Sequence, residues 1–114
     1  MGQLAAVSLS VGLEIVVAAP LVAWWARPAP AARSAFLGAL VAAASTCVTH
    51  PVVWSAALAL YPRIGVVPTL FVVESGAVLA EAAAYSLLLR PRAALAVSFC
   101  ANATSAWVGG WLTW

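Results

Sequence analysis

The sequence contains no lysine and no aspartate, and its only charged side chains are five arginines and three glutamates. Charged residues make up 7% of the chain and hydrophobic residues 66%, whereas about a quarter of the residues in a soluble domain are charged. This shortage of charge excludes an ordinary soluble domain. The lack of a basic patch also excludes a nucleic-acid partner, because binding to phosphates depends on clustered lysines and arginines. The composition predicts a protein whose main partner is the lipid bilayer.

Four apolar stretches are long enough to cross a membrane, which takes about 20 apolar residues each. They lie near residues 4–26, 34–60, 66–89 and 93–114. Prolines and arginines occupy the three breaks between them, where proline stops a helix and arginine reaches the lipid headgroups. We therefore predict an all-α polytopic membrane protein, with four transmembrane helices and short loops in one compact bundle that forms a single domain over residues 1–114.

The sequence has only two cysteines, and no stretch that would form a large loop outside the membrane. Cys47 and Cys100 both fall inside predicted helices, so we expect small buried side chains rather than a disulfide. The absence of a soluble loop disfavours an enzyme that acts on water-soluble substrates. It leaves ions and lipid-soluble molecules as the classes of substrate.

The two signs of charge are segregated along the chain. All five arginines lie at or near the breaks, whereas Glu14, Glu74 and Glu81 lie inside the apolar stretches. An acid at the centre of a membrane helix costs about 2.5–3.5 kcal/mol on insertion scales. His50 is the only potential cation near them, so either the acids are protonated or a cation from outside the chain lies among them.

The polar residues are expected at similar depths. At 1.5 Å per residue, Glu14, His50, Glu74 and Asn102 lie about 12–18 Å from the predicted outer ends of their helices, near the middle of a core about 30 Å thick. Glu81 is expected about 10 Å below Glu74 on the cytoplasmic side. We predict one polar side chain from each helix in a common layer, with a second tier beneath it.

Helical spacing groups further polar residues with this layer. Glu74, Glu81 and Tyr85 share one face of the third helix, since they are 7 and 4 residues apart. The fourth helix carries a stripe of small and polar residues that lets helices approach closely. The predicted supporting residues are Thr49, Tyr85, Ser98 and Ser105. Trp54, one turn beyond His50, is expected either to wall this site or to pack.

The favoured hypothesis is proton- or cation-coupled transport or conduction along a pathway formed by Glu14, His50, Glu74, Glu81 and Asn102. The alternative is a non-catalytic membrane subunit whose polar stripe packs on a partner. A third hypothesis is an intramembrane enzyme acting on a lipid-soluble substrate, although no nucleophile motif is evident. In the simplest interpretation the polar residues only cross-link helices, through bonds of about 0.6 kcal/mol each.

Other expectations concern ligands, partners and orientation. The sequence identifies no cofactor, and His50, Cys47 and Glu74 are weak candidates for a metal site. Partners are expected to be further copies of the chain or other membrane subunits. Four arginines lie near the first and third connections and one near the second, so the positive-inside rule predicts a multi-pass cell-membrane protein with both termini outside the cytoplasm. Tryptophans at 24, 25, 107, 111 and 114 are expected to form interfacial belts.

Overall fold

The computed structural model describes residues 2–113, which form four helices joined by short connections. The helices are α1 (Gln3–Trp25), α2 (Ala31–Ile64), α3 (Val66–Tyr85) and α4 (Pro91–Thr113). No strand occurs within this range. The predicted all-α class is confirmed, as is the number of helices.

The four helices surround a common centre. α1 packs against α2 and α4, and α3 packs against the same two helices. In the part of the chain described, no Cα atoms of the diagonal pairs, α1–α3 and α2–α4, come within 8 Å of each other. The bundle measures 48 × 25 × 20 Å. Short connections make consecutive helices antiparallel, so the chain termini and the α2–α3 connection lie at one end. The α1–α2 and α3–α4 connections lie at the other.

Three of the helices, α1, α2 and α3, are long and apolar enough to cross a membrane. α4 has 23 residues, as α1 does, but it does not reach the same hydropathy because polar side chains such as Ser98 and Asn102 interrupt its apolar run. The prediction of membrane spans therefore holds for three helices by length and composition, and a fourth span stays a prediction.

α2 is longer than predicted, at 34 residues. It begins three residues before the predicted start and continues through Pro51 and Pro62, so the prediction that proline ends this helix near residue 60 is wrong. Pro62 lies in the last turn, where it removes only one intrahelical hydrogen bond. The helix ends after Ile64 because Gly65 takes φ = 83°, a conformation that favours glycine.

α3 is shorter than predicted, ending at Tyr85 rather than at residue 89. A turn then closes the chain, with the amide of Leu88 donating to the carbonyl of Tyr85 at 2.9 Å. Pro91 follows as the first residue of α4, a position where its missing N–H would have no helical partner in any case. At this break the proline starts a helix rather than stopping one.

The hydrophobic core lies in the half of the bundle near the α1–α2 and α3–α4 connections. It is formed by Ala18, Val22, Ala42, Tyr85, Leu89, Ala94 and Val97. α1 and α2 approach so closely here that a Cβ added to Gly38 would lie 2.8 Å from the Cβ of Val22. Small residues permit this approach, and close backbone packing of this kind is common between membrane helices.

Candidate functional site

The other half of the bundle contains a cavity of about 190 Å³ to which all four helices contribute. It extends from the level of Ala6 and Gly109, near the ends of the chain, down to two buried glutamates. Its polar lining consists of Ser10, Glu14, Thr46, Thr49, His50, Glu74, Glu81, Asn102 and Ser105. The five predicted pathway residues therefore line one cavity, although whether they conduct anything stays a prediction.

One face of α1 shows how the sequence builds both halves of the bundle. Ala6, Ser10 and Glu14 line the cavity, and Ala18 and Val22 continue the same face into the hydrophobic core. These residues are four apart, which keeps them on one side of a helix. The face changes from polar to apolar one turn after Glu14, and this position marks the floor of the cavity.

Glu14 lies at that floor and is 2% exposed. Thr46 of α2 donates a hydrogen bond to its Oε2 atom. The carboxyl groups of Glu14 and Glu81 are also close enough to interact directly. No Cα atoms of α1 and α3 come within 8 Å of each other in the region described, so the two side chains meet across the centre of the bundle.

Glu81 is 1% exposed and is held by two side chains from neighbouring helices. Thr49 donates to its Oε1 atom at 2.6 Å, and Asn102 donates to its Oε2 atom at 2.6 Å. Each carboxyl oxygen of Glu81 therefore has its own donor.

The two predicted tiers are not separate, because Asn102, which was assigned to the upper layer, donates directly to Glu81 of the lower tier at 2.6 Å. The predicted depths came from counting residues along each helix, which gives the height of a backbone position but not the direction in which its side chain extends. Side chains lean toward the N-terminus of their helix. α3 and α4 run in opposite directions, so Glu81 and Asn102 lean toward each other and close the gap.

His50 lines the cavity with its ring against Trp54. The two rings stack at 6.5 Å between centroids with an interplanar angle of 21°. The Nε2 atom of His50 is buried and has no hydrogen-bond partner among the residues described. Trp54 is absent from the cavity lining, so it packs behind the histidine rather than forming a wall of the site.

Glu74 is half-buried and lines the cavity closer to the chain ends than Glu81 does. No side chain in the region described donates a hydrogen bond to its carboxyl group. Glu74 therefore differs from Glu14 and Glu81, whose carboxyl groups are each held by neighbouring side chains. It is the acid with free acceptor capacity.

The supporting residues have different roles. Ser98 donates to the backbone carbonyl of Val78 at 2.7 Å and joins α4 to α3. Ser105 donates to Ser10 at 2.9 Å and joins α4 to α1. Tyr85 is fully buried in the core beneath the acids, and its hydroxyl has no partner among the described residues. The predicted stripe on α4 thus contacts both α3 and α1.

Of the three weak metal candidates, His50 and Glu74 line the same cavity. Cys47 is exposed and does not line this cavity. No group of three histidine, cysteine or acidic residues able to hold a metal ion occurs among residues 2–113. Both cysteines are free and exposed, so the expectation that they are small buried side chains is wrong.

Trp114, assigned to an interfacial belt, lies outside the described residues.

Two residues of the site were missed by the prediction. Thr46 donates to Glu14, and Ser10 accepts from Ser105. The signal for Thr46 was its position four residues before His50, which places both on one face of α2. The corresponding signal for Ser10 was its position four residues before Glu14.

Comparison with known proteins yields no match among protein-family models, curated proteins or solved structures. The function is therefore inferred from the geometry of the cavity.

Proposed function

We propose that this protein is a small proton-coupled cation carrier in which Glu14 and Glu81 take up and release the proton. The observation that carries this proposal is the pair of interacting carboxyl groups at the floor of the polar cavity. Two neighbouring acids cannot easily both be ionised, so they retain a proton between them. A cation that reaches the pair favours release of that proton, which is the chemical basis for coupling.

The structure around the acids favours a carrier over an open channel. The cavity leads to Glu14 and Glu81 from the end of the bundle that holds the chain termini. On the other side, Ala18, Val22 and Tyr85 fill the centre. A continuous pore would need an opening through this core. A carrier needs only to alternate between this arrangement and one in which the core half opens.

The remaining cavity residues have roles in this proposal. His50 and Glu74 lie along the wall of the cavity and would pass protons or attract cations toward its floor. Asn102 and Thr49 hold the carboxylate of Glu81 in position through their hydrogen bonds. Such fixed donors orient a buried acid without supplying a permanent positive charge.

We place all four helices in the membrane, including α4. Its polar residues Ser98 and Asn102 are buried inside the bundle, whereas Phe99, Trp107 and Leu112 are exposed. The outward-facing residues of α4 are therefore more apolar than the helix is on average. Inward-facing polar groups are expected in membrane helices that line a functional site.

We orient the protein with both termini outside the cytoplasm. Arg27 and Arg90 lie in the α1–α2 and α3–α4 connections, Arg33 and Arg92 lie in the first turns that follow, and Arg63 is alone near the α2–α3 connection. The positive-inside rule places the end with four arginines in the cytoplasm. The guanidinium of Arg27 lies 3.9 Å above the ring of Trp24, a pair well suited to the membrane interface.

A non-catalytic role in a larger assembly is the alternative. The polar site is supplied by four helices of one chain, so it needs no second subunit to be complete. This observation favours a site that acts by itself, whether the chain works singly or as a homo-oligomer.

Reconstitution in proteoliposomes tests the proposal. Vesicles containing a pH-sensitive dye are given gradients of Na⁺, K⁺ or choline in turn, and the internal pH is followed. We expect at least one cation to drive a pH change in wild-type vesicles. Glu81→Gln and Glu14→Gln are each expected to slow this change by at least about tenfold, since either removes a protonatable partner.

Thr104→Val provides a control, because the Thr104 hydroxyl bonds only to the carbonyl of Cys100 in its own helix. It should leave the rate unchanged. If both glutamine variants are folded and transport at the wild-type rate, the proposal is wrong. If wild-type vesicles show no pH change and the protein co-purifies with fixed stoichiometry in a larger complex, the subunit hypothesis replaces it.

A further inference from the structure

A second cavity opens from the membrane-facing surface between α3 and α4. This groove has a volume of about 430 Å³, within the range of about 300–1,000 Å³ common for small-molecule sites. Its sides are apolar and include Phe71, Leu79 and Phe99, whose side chains are 73%, 65% and 61% exposed. A molecule dissolved in the lipid would meet this groove directly.

The groove and the polar cavity share residues. Glu74, Asn102 and Ala106 line both of them. Glu74 and Asn102 thus form a polar junction at the inner end of an otherwise apolar groove. A ligand lying in the groove would have an apolar body toward the membrane and a polar head at this junction.

Hydrogen bonding at the junction defines the chemistry of that head. The side-chain nitrogen of Asn102 donates to Glu81 at 2.6 Å and to the backbone carbonyl of Ser98 at 3.0 Å. The backbone carbonyl of Ser98 can only accept a hydrogen bond, so the side-chain atom of Asn102 that faces it must be the nitrogen. The Oδ1 atom of Asn102 is therefore the one available to a ligand. The carboxyl group of Glu74 receives no hydrogen bond in the region described. The junction therefore offers oxygen acceptors and calls for a donor.

The charge at the junction also favours a ligand that donates hydrogen bonds. The shared cavity contains three glutamates and no arginine, and the buried Nε2 atom of His50 lines it without a partner among the described residues. The complement of an acidic, acceptor-rich junction is a cation with N–H groups. A primary ammonium supplies three donors and one positive charge, enough for Glu74 and the Oδ1 atom of Asn102 together.

We propose that the groove between α3 and α4 admits an amphipathic primary amine from the membrane, with its ammonium group on Glu74 and Asn102 and its chain against Phe71, Leu79 and Phe99. This inference rests on the proposed function, because it names the class of cation that the proposed carrier would take. It can be tested separately, because a binding measurement requires neither an ion gradient nor proton movement.

Binding of n-decylamine to the purified protein in lipid nanodiscs tests the inference, with empty nanodiscs to subtract partition into lipid. Decyltrimethylammonium has the same tail and charge but no N–H donor. We expect it to bind at least about tenfold more weakly, because charge-assisted hydrogen bonds supply the head-group recognition. Glu74→Gln should weaken decylamine binding by about the same factor.

Access through the groove is tested by filling it. Ala103 lines the groove, so Ala103→Trp should abolish decylamine binding. Ala80 lies on the opposite side of α3, in the groove between α2 and α3, and Ala80→Trp is the matched control that should bind normally. Phe99→Ala serves as a second variant in case Ala103→Trp does not fold. It removes contacts with the alkyl chain of decylamine without blocking the groove, so it should lower the affinity for decylamine.

The outcomes separate this inference from the proposed function. Equal binding of the two decyl compounds, or normal binding by folded Ala103→Trp, overturns the inference even if Glu81→Gln stops proton movement. Selective decylamine binding that requires Glu74 supports the site even if no proton flux is detected in vesicles.

Discussion

The two halves of the bundle use the same four helices in opposite ways. Near the chain termini the helices surround a cavity lined by glutamate, histidine and hydroxyl side chains. Near the α1–α2 and α3–α4 connections the same faces carry alanine and valine and enclose Tyr85. On α1 the change occurs between Glu14 and Ala18, one helical turn apart.

The core half is expected to contribute most of the stability of the bundle, and the cavity half its chemical activity. In the core half, contacts such as Gly38 against Val22 bring the backbones close, and close packing is what holds membrane helices together. The cavity half contributes interhelical hydrogen bonds that are individually small. Substitutions in the core half should therefore change stability, and substitutions in the cavity half should change activity.

The sharpest test of the two halves is chemical access. With Cys47 and Cys100 replaced by alanine, Ser10→Cys should react with a membrane-impermeant thiol reagent added outside, because Ser10 lines the cavity. Ala18→Cys should not react, because Ala18 is fully buried. Ala29→Cys, in the exposed α1–α2 connection, should react only from the cytoplasmic side. Reaction of Ala29→Cys from outside would reverse the orientation.

Removing the largest side chain of the core should have the greatest effect on stability. Tyr85→Ala leaves a cavity at the centre of the core half, and large-to-small changes of aromatic residues cost about 3–5 kcal/mol. Tyr61→Ala is the control, because Tyr61 is exposed. Unfolding by SDS titration in mixed micelles measures both. A Tyr85→Ala loss no larger than that of Tyr61→Ala would contradict the assignment of the core.

A methyl group at the closest helix contact should have an intermediate effect. Gly38→Ala places a Cβ 2.8 Å from that of Val22, and overpacking of this kind costs about 1–3 kcal/mol. Gly76→Ala is matched, since its Cβ would meet nothing within 4 Å. It should be neutral or stabilising by up to about 1 kcal/mol. The same SDS titration shows whether the two glycines differ.

The smallest change in stability is expected for the hydroxyls that hold the acids. Thr46→Val and Thr49→Val each remove one interhelical hydrogen bond, which in membranes is worth about 0.6 kcal/mol on average. Their effect on proton movement should exceed that of Thr104→Val, whose hydroxyl bonds only within its helix. If all three variants transport equally, the threonines do not position the carboxyl groups.

Much of this architecture follows from local sequence. Helical spacing put Glu81 and Tyr85 on one face of α3, and both are buried inside the bundle. The bond between Asn102 and Glu81 was missed, because it depends on the opposite lean of side chains on antiparallel helices. The groove between α3 and α4 was missed too, since the distance between helices is set by packing along their whole length rather than by any short pattern.

The length of α2 has a mechanical consequence. Its 34 residues extend about 51 Å at 1.5 Å per residue, well beyond a hydrocarbon core of about 30 Å. Such a helix either tilts or projects from the bilayer, and a change in acyl-chain length shifts the balance between the two. Only Gly65 separates α2 from α3, so a tilt of α2 carries the start of α3 with it. With the helices in the membrane as proposed, the thickness of the bilayer would act on the helix that bears Glu74 and Glu81.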